Sequence, residues 1–261
     1  MKKILLMLLA IVTFITGFAQ EKEKKRNKKE ERRQRIDAIA KQEEEGIIVY
    51  KKHFAFGGKL TSDGYGGFLE VGKAQSVKRG LLFQLDISER KHPREEKQQV
   101  QFSQTVPIIY TKVNFFYPVK LGIQQQLVLG NKGNKNGISV TGNIGGGLIV
   151  GLLRPYMIDL VNNGERGYIS YFDDSTAFLN SDSYIKGPTF GKGWSDIKVT
   201  PGIYVKPAFR FDYGKYNEMI NAIEVGLTAE FYSKEIKQMV FRDSRRYFFT
   251  AYVAIVFGRR K

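Results

Sequence analysis

The sequence predicts an all-β fold: a closed antiparallel transmembrane β-barrel of about ten strands, preceded by a signal peptide and a short charged segment. Three observations carry this. The chain opens on a secretory leader. From Gly46 onward it alternates apolar and polar residues in runs of roughly 9–13, longer than common soluble strands and near the length a tilted membrane strand needs. Aromatic residues gather at the ends of those runs.

The leader comes first. Lys2 and Lys3 precede the apolar run Ile4 to Phe18, and Gly17-Phe18-Ala19 supplies small residues ahead of Gln20, so residues 1–19 read as a cleaved signal peptide. The run is shorter than the roughly 20 residues of a spanning helix. Residues 20–45 form the next unit. Glu21 to Glu45 holds ten Lys/Arg against eight Asp/Glu with few apolar residues, which predicts a periplasmic segment, helical or flexible, that has no core of its own. Of the formal net charge of +16, +12 remains on residues 46–261. For an exported chain, such a basic surface points to lipid headgroups and lipopolysaccharide phosphates as partners, with other envelope proteins as further partners and nucleic acid excluded. The chain contains no cysteine, which rules out disulfides, thiolate metal sites and a cysteine nucleophile.

Residues 46–261 carry the barrel. Leu81, Phe83, Leu85 and Ile87 alternate with Leu82, Gln84, Asp86 and Ser88. Val119, Leu121, Ile123, Leu127 and Leu129 share one parity, with Lys120, Gly122, Gln124 and Gln126 on the other. Ile203, Val205, Phe209 and Phe211 alternate with Tyr204, Lys206, Ala208, Arg210 and Asp212, and Ile223, Val225, Leu227 and Phe231 with Glu224, Gly226, Thr228 and Glu230. A period of two sets these on opposite faces of a strand. The expected strands lie near 47–60, 65–75, 80–89, 105–115, 119–130, 136–145, 148–160, 200–213, 219–232 and 246–258. Gly145-Gly146-Gly147 reads either as a turn or as a glycine stripe inside a strand, so eight or twelve strands are also compatible. With ten, the long connections 90–104, 161–199 and 233–245 fall at one end, and short breaks at 76–79, 116–118, 146–147 and 214–218 at the other. The clusters Phe115-Phe116-Tyr117, Tyr213 with Tyr216, Phe231-Tyr232 and Tyr247-Phe248-Phe249 read as headgroup-level girdles.

Small barrels are filled by side chains, so inward charges must be paired. Asp86, Lys206, Arg210, Asp212, Glu224 and Glu230 have inward parity and form the expected lumen charge cluster, with Arg210 and Glu224 opposite one another on neighbouring strands. Loop 161–199 carries Tyr168, Tyr171, Phe172, Phe178, Tyr184, Phe190 and Trp194. It reads as an ordered cap over the barrel mouth or as a partner-binding surface, with Tyr168, Tyr171, Phe172, Tyr184 and Trp194 the recognition residues. Only two histidines occur, His53 and His92, without second ligands at metal spacing, so no metal site and no cofactor is expected. A rim catalytic set of Asp86, Glu89 and His92 is the enzymatic alternative, although its spacing is nonspecific.

The exit Phe18-Ala19-Gln20, the glycine-rich Thr141-Gly142-Asn143-Ile144-Gly145-Gly146-Gly147 and the ending Ala251 to Gly258 resemble the small outer-membrane β-barrel proteins of Bacteroidetes, the PorT-like group. The ending departs from a terminal aromatic, since Phe257 is followed by Gly258, Arg259, Arg260 and Lys261. The resemblance implies a fold and the outer membrane; it implies no substrate or catalytic residue. The expected role is a non-enzymatic accessory, assembly or structural component. The alternatives are a narrow channel or transporter, a rim-located hydrolase or acyltransferase, and a soluble periplasmic ligand-binding barrel.

Overall fold

The computed structural model describes residues 50–76, 78–98, 107–132, 137–162, 164–180, 184–216 and 218–261. The expected signal peptide, the charged segment 20–45 and the first residues of the first expected strand lie outside the described residues.

Thirteen strands and one short helix occur among the described residues: β1 (Lys52–Thr61), β2 (Gly64–Ala74), β3 (Arg79–Arg90), β4 (Lys97–Gln98), β5 (Ile108–Ile109), β6 (Asn114–Gly130), β7 (Ser139–Pro155), β8 (Met157–Asn162), β9 (Glu165–Ser170), α1 (Ser175–Leu179), β10 (Tyr184–Lys186), β11 (Lys198–Asp212), β12 (Met219–Ile236) and β13 (Arg245–Arg260). Eight of them close an antiparallel barrel in the order β1-β13-β12-β11-β7-β6-β3-β2. The seam joins the first and last strands, from His53 opposite Arg260 to Thr61 opposite Tyr252.

The barrel therefore has eight strands where the sequence pattern pointed to about ten, and two features account for the difference. Residues 139–155 form one 17-residue strand instead of two, and Gly145-Gly146-Gly147 lies in its middle. A side chain at Gly147 would run into the carbonyl oxygen of Leu121, and one at Gly145 into that of Ile123. The glycines mark a close approach of neighbouring backbones, not a turn. Likewise 116–118 is no break: Phe116, Tyr117 and Pro118 lie within the 17-residue β6, paired with Leu153, Leu152 and Gly151. In the described part of the strand expected over 105–115, the two-residue β5 pairs with β4, Lys112 forms an isolated bridge to Met239, and Asn114 and Phe115 already belong to the barrel.

The described residues of the connections after β3, β7 and β12 lie at one end of the barrel, together with the tight turn at Ser62 and Asp63. The connections 75–78, 131–138 and 213–218 lie at the other, as do Lys52 and Arg260.

The outward residues are apolar and exposed: Leu60, Leu85, Leu121, Leu148, Ile203, Val225, Phe249 and Ile255 are examples from seven of the eight strands. The inward residues are buried and largely polar, small or aromatic, with a few aliphatics such as Leu82, Ile149 and Val256 among them. This is the reverse of a water-soluble barrel.

Candidate functional site: a charge-paired lumen and its cap

The lumen fills in three layers. Toward the end where Lys52 and Arg260 lie, Ala55, Phe68, Ala208, Ala222, Tyr252, Ala254 and Val256 pack together. The alanines leave room for the long side chains above them.

The middle layer is ionic. Arg210 donates to Glu70 at 2.8 and 2.7 Å and to Glu224 at 2.8 and 2.6 Å. Lys206 lies 3.1 Å from Glu224 and donates to Gln84 at 2.9 Å. Gln84 in turn accepts from Gln124. Nearer the loop end, Lys59 donates to Asp86 at 2.6 Å, and Lys120 bridges Asp86 at 4.0 Å and Glu230 at 2.8 Å. Arg90 completes the set, at 2.7 Å from Glu230 and 2.5 Å from Asp63. Five cations thus face five carboxylates, Asp63 included, and all ten side chains except that of Asp63 are at most 4% exposed.

The loop-end layer is aromatic. Phe116, Tyr232 and Phe248 form a triad with ring centroids 5.5–5.7 Å apart. The Arg90 guanidinium lies 4.6 Å from the Phe248 ring and 5.5 Å from that of Phe116. The aromatic clusters expected as girdles are therefore divided between two faces by strand alternation. Phe231 and Tyr247 pair outside at 5.0 Å, while their neighbours Tyr232 and Phe248 close the lumen.

Five of the six sequence-derived lumen charges meet in this network, and Arg210 stands opposite Glu224 in the β11–β12 register. Asp212 does not join it. Buried at the terminus end, it pairs with Arg260 at 2.5 Å and Lys132 at 3.4 Å. Sequence reasoning missed Lys59, Glu70, Arg90 and Lys120, whose inward parity was the available signal. His53 lies 3.1 Å from Glu70.

The long connection after β7, expected as a cap, carries a three-stranded sheet and a small core among its described residues. β8 is central between β9 and β10, and α1 follows with Asp174 accepting from the Thr176 and Ala177 amides. Ile108, Tyr156, Ile158 and Phe178 make its core, with Tyr171 and Tyr184 packed against it. The Tyr184 hydroxyl is pushed up to about 12, chiefly by burial. Tyr168 meets Thr189 at 3.1 Å, and Phe172 lies under Lys198 at 3.5 Å. Trp194 stacks on Tyr117 at 5.7 Å. The recognition residues thus divide: Tyr171 and Tyr184 help build the cap, and Phe172 and Trp194 stay exposed.

Asp86, Glu89 and His92 do not converge. Asp86 points inward to Lys59, Glu89 points outward and accepts from Tyr65 at 2.6 Å, and His92 Nδ1 accepts from the Arg94 amide. The alternation of β3 separates the two carboxylates. Among the described residues no group of His, Cys, Asp and Glu is arranged to hold a metal ion.

Fold and lumen together define a small, closed, inside-out β-barrel. No protein-family model matches the chain, and no curated protein matches it. Among solved structures, it is similar to the N-terminal β-barrel domain of Pseudomonas aeruginosa OprF, with 10% identity over 79% of this chain and 96% of that one, at a TM-score of 0.34. It is also similar to Neisserial surface protein A, with 8% identity, 80% and 96% coverage and a TM-score of 0.37. For Ail, the attachment invasion locus protein of Yersinia pestis, the values are 7%, 80%, 96% and 0.35. The barrel assignment rests on this chain's own strand pairing.

Proposed function

We propose that this chain is a non-enzymatic outer-membrane β-barrel, an accessory or structural component whose lumen is plugged and whose cap and loops make its external contacts. The observation that carries this is the inverted polarity. A wall exposing Leu60, Leu121, Leu148 and Phe249 at 61–82% to the outside, around a lumen of ion pairs, suits lipid and does not suit water. The apolar run Ile4 to Phe18 behind Lys2 and Lys3, read as a secretory leader, supports export to that membrane.

The plug argues against a channel. Eight strands enclose a space just wide enough for side chains, and here paired charges and an aromatic triad occupy it. Fractionation, boiled-against-unboiled electrophoresis and planar-bilayer recording test the reading together. An outer-membrane protein with heat-modified mobility and no steady conductance is expected. A soluble periplasmic protein overturns the membrane assignment; a stable open-channel current overturns the plug.

A further inference from the structure

The barrel wall is uneven at its loop end. β1 and β2 are the shortest strands of the barrel and turn back at Ser62 and Asp63. Beside them β13 pairs with β1 only up to Tyr252, and the Ser62 amide adds one bond to the Ala251 carbonyl. Residues 245–250 of β13 run on, held by β12 alone, for about 20 Å of strand. A lateral notch follows, open above the β1–β2 turn and closed behind by the start of the loop after β3, where the Lys91 amide bonds to the Asp63 carbonyl at 2.7 Å.

A cleft of about 430 Å³ occupies this notch. Lys91, Arg242 and Arg245 line it, and none has a carboxylate within 4 Å among the described residues. Asp63, also in the lining, is taken by Arg90, which leaves Asp243 as the one carboxylate of the lining with no cation within 4 Å among the described residues. Its outer wall is Tyr247 and Phe249, 63% and 82% exposed and continuous with the apolar belt. His92 lines it too. Its imidazole is held below the ordinary value chiefly by burial; Glu95 opposes this, and Arg245, Arg242 and Arg94 add to it.

We propose that this notch binds the phosphate-bearing headgroup of a membrane lipid, with Lys91, Arg242 and Arg245 on the anion and Phe249 beside the acyl chain. The proposal rests on the membrane reading above. A soluble phosphate would satisfy the cations equally, but an exposed aromatic wall opening sideways has no use for it. Each basic residue near an anionic lipid contributes about 1 kcal/mol, so three suffice for selective retention.

The test uses the full-length protein in phosphatidylcholine discs with and without added phosphatidylglycerol, with lipid retention read by native mass spectrometry. Selective retention of phosphatidylglycerol is expected, falling roughly tenfold or more in the Lys91→Gln/Arg242→Gln/Arg245→Gln variant. The Lys73→Gln/Arg79→Gln variant, altered at the opposite end, should retain lipid like the parent. Insertion without preference for the anionic lipid overturns the notch and leaves the membrane reading intact. Loss of the retained lipid in millimolar inorganic phosphate at constant ionic strength assigns the cations to a soluble anion and overturns the lipid. A protein that stays soluble and enters no disc overturns both readings.

Discussion

Arg210 on β11 grips both oxygens of Glu70, 140 residues away on β2, and those two strands face each other across the full width of the barrel. Arg90 and Glu230 repeat the arrangement nearer the loops, between β3 and β12, again four strands apart around the ring. Such braces tie opposite walls that no backbone hydrogen bond can join. Removing one partner strands a buried charge, at about 3–5 kcal/mol. Arg210→Met should therefore lower the urea midpoint of the folded barrel sharply, and adding Glu70→Gln and Glu224→Gln should restore much of it. An unchanged midpoint for Arg210→Met would show that the brace contributes nothing.

Arg154 should control the position of Trp194. Its guanidinium lies 4.2 Å from the Phe115 ring, 4.9 Å from that of Trp194 and 5.6 Å from that of Phe190. It donates to the Phe190 carbonyl at 2.7 Å, the same oxygen that accepts from Trp194 Nε1. Several cation–π contacts and one charge-assisted bond together hold this latch by about 2 kcal/mol. Trp194 is the sole tryptophan, so its emission reports directly. Arg154→Met should shift it to the red and raise its quenching by acrylamide; Arg154→Lys should do so less.

The glycine stripe predicts a sharp contrast. Gly147→Val forces a side chain against the Leu121 carbonyl, which is backbone and cannot swing away, so the folded heat-modifiable form should be lost. At Gly58 an added Cβ meets nothing within 4 Å. Gly58→Ala should fold normally, with stability changed by no more than about 1 kcal/mol.

His92 gives a pH dependence with a definite sign. Burial lowers its folded pKa, so the unfolded chain takes up a proton first as pH falls. Stability from this residue is complete above the unfolded value of about 6.5 and declines as pH drops through that value toward the folded one. An imidazole NMR titration, with His53→Gln to remove the second histidine, should find His92 titrating below 6.5. Its replacement by Gln should flatten the stability profile between about pH 5 and 7.

How much of this could be read from residues alone depended on range. Alternation along β11 and β12 was enough to put Arg210 opposite Glu224, because neighbouring strands share a register that a hairpin dictates. Glu70 was out of reach. Its meeting with Arg210 depends on closure and on the tilt of all eight strands, neither of which leaves a mark on local sequence. The strand number came out at eight, within the expected range but below the ten counted, for a related reason. Gly145 to Gly147 and Pro118 carry the local signature of a break, but the closely approaching neighbours of β6 and β7 hold them in extended strand. The aromatic pairs misled through their spacing: Phe231-Tyr232 and Tyr247-Phe248 are adjacent residues, so each pair must split between the outer face and the lumen.

The β1–β13 seam has a consequence for how the protein comes to exist. The first strand finds its second neighbour only when the last one has been made, so no growing or shortened chain is a smaller version of the finished molecule. A chain that stops before β13 carries two unpaired sheet edges, one along β1 and one along its last strand. Closure of the ring therefore waits for β13, the last strand to be made.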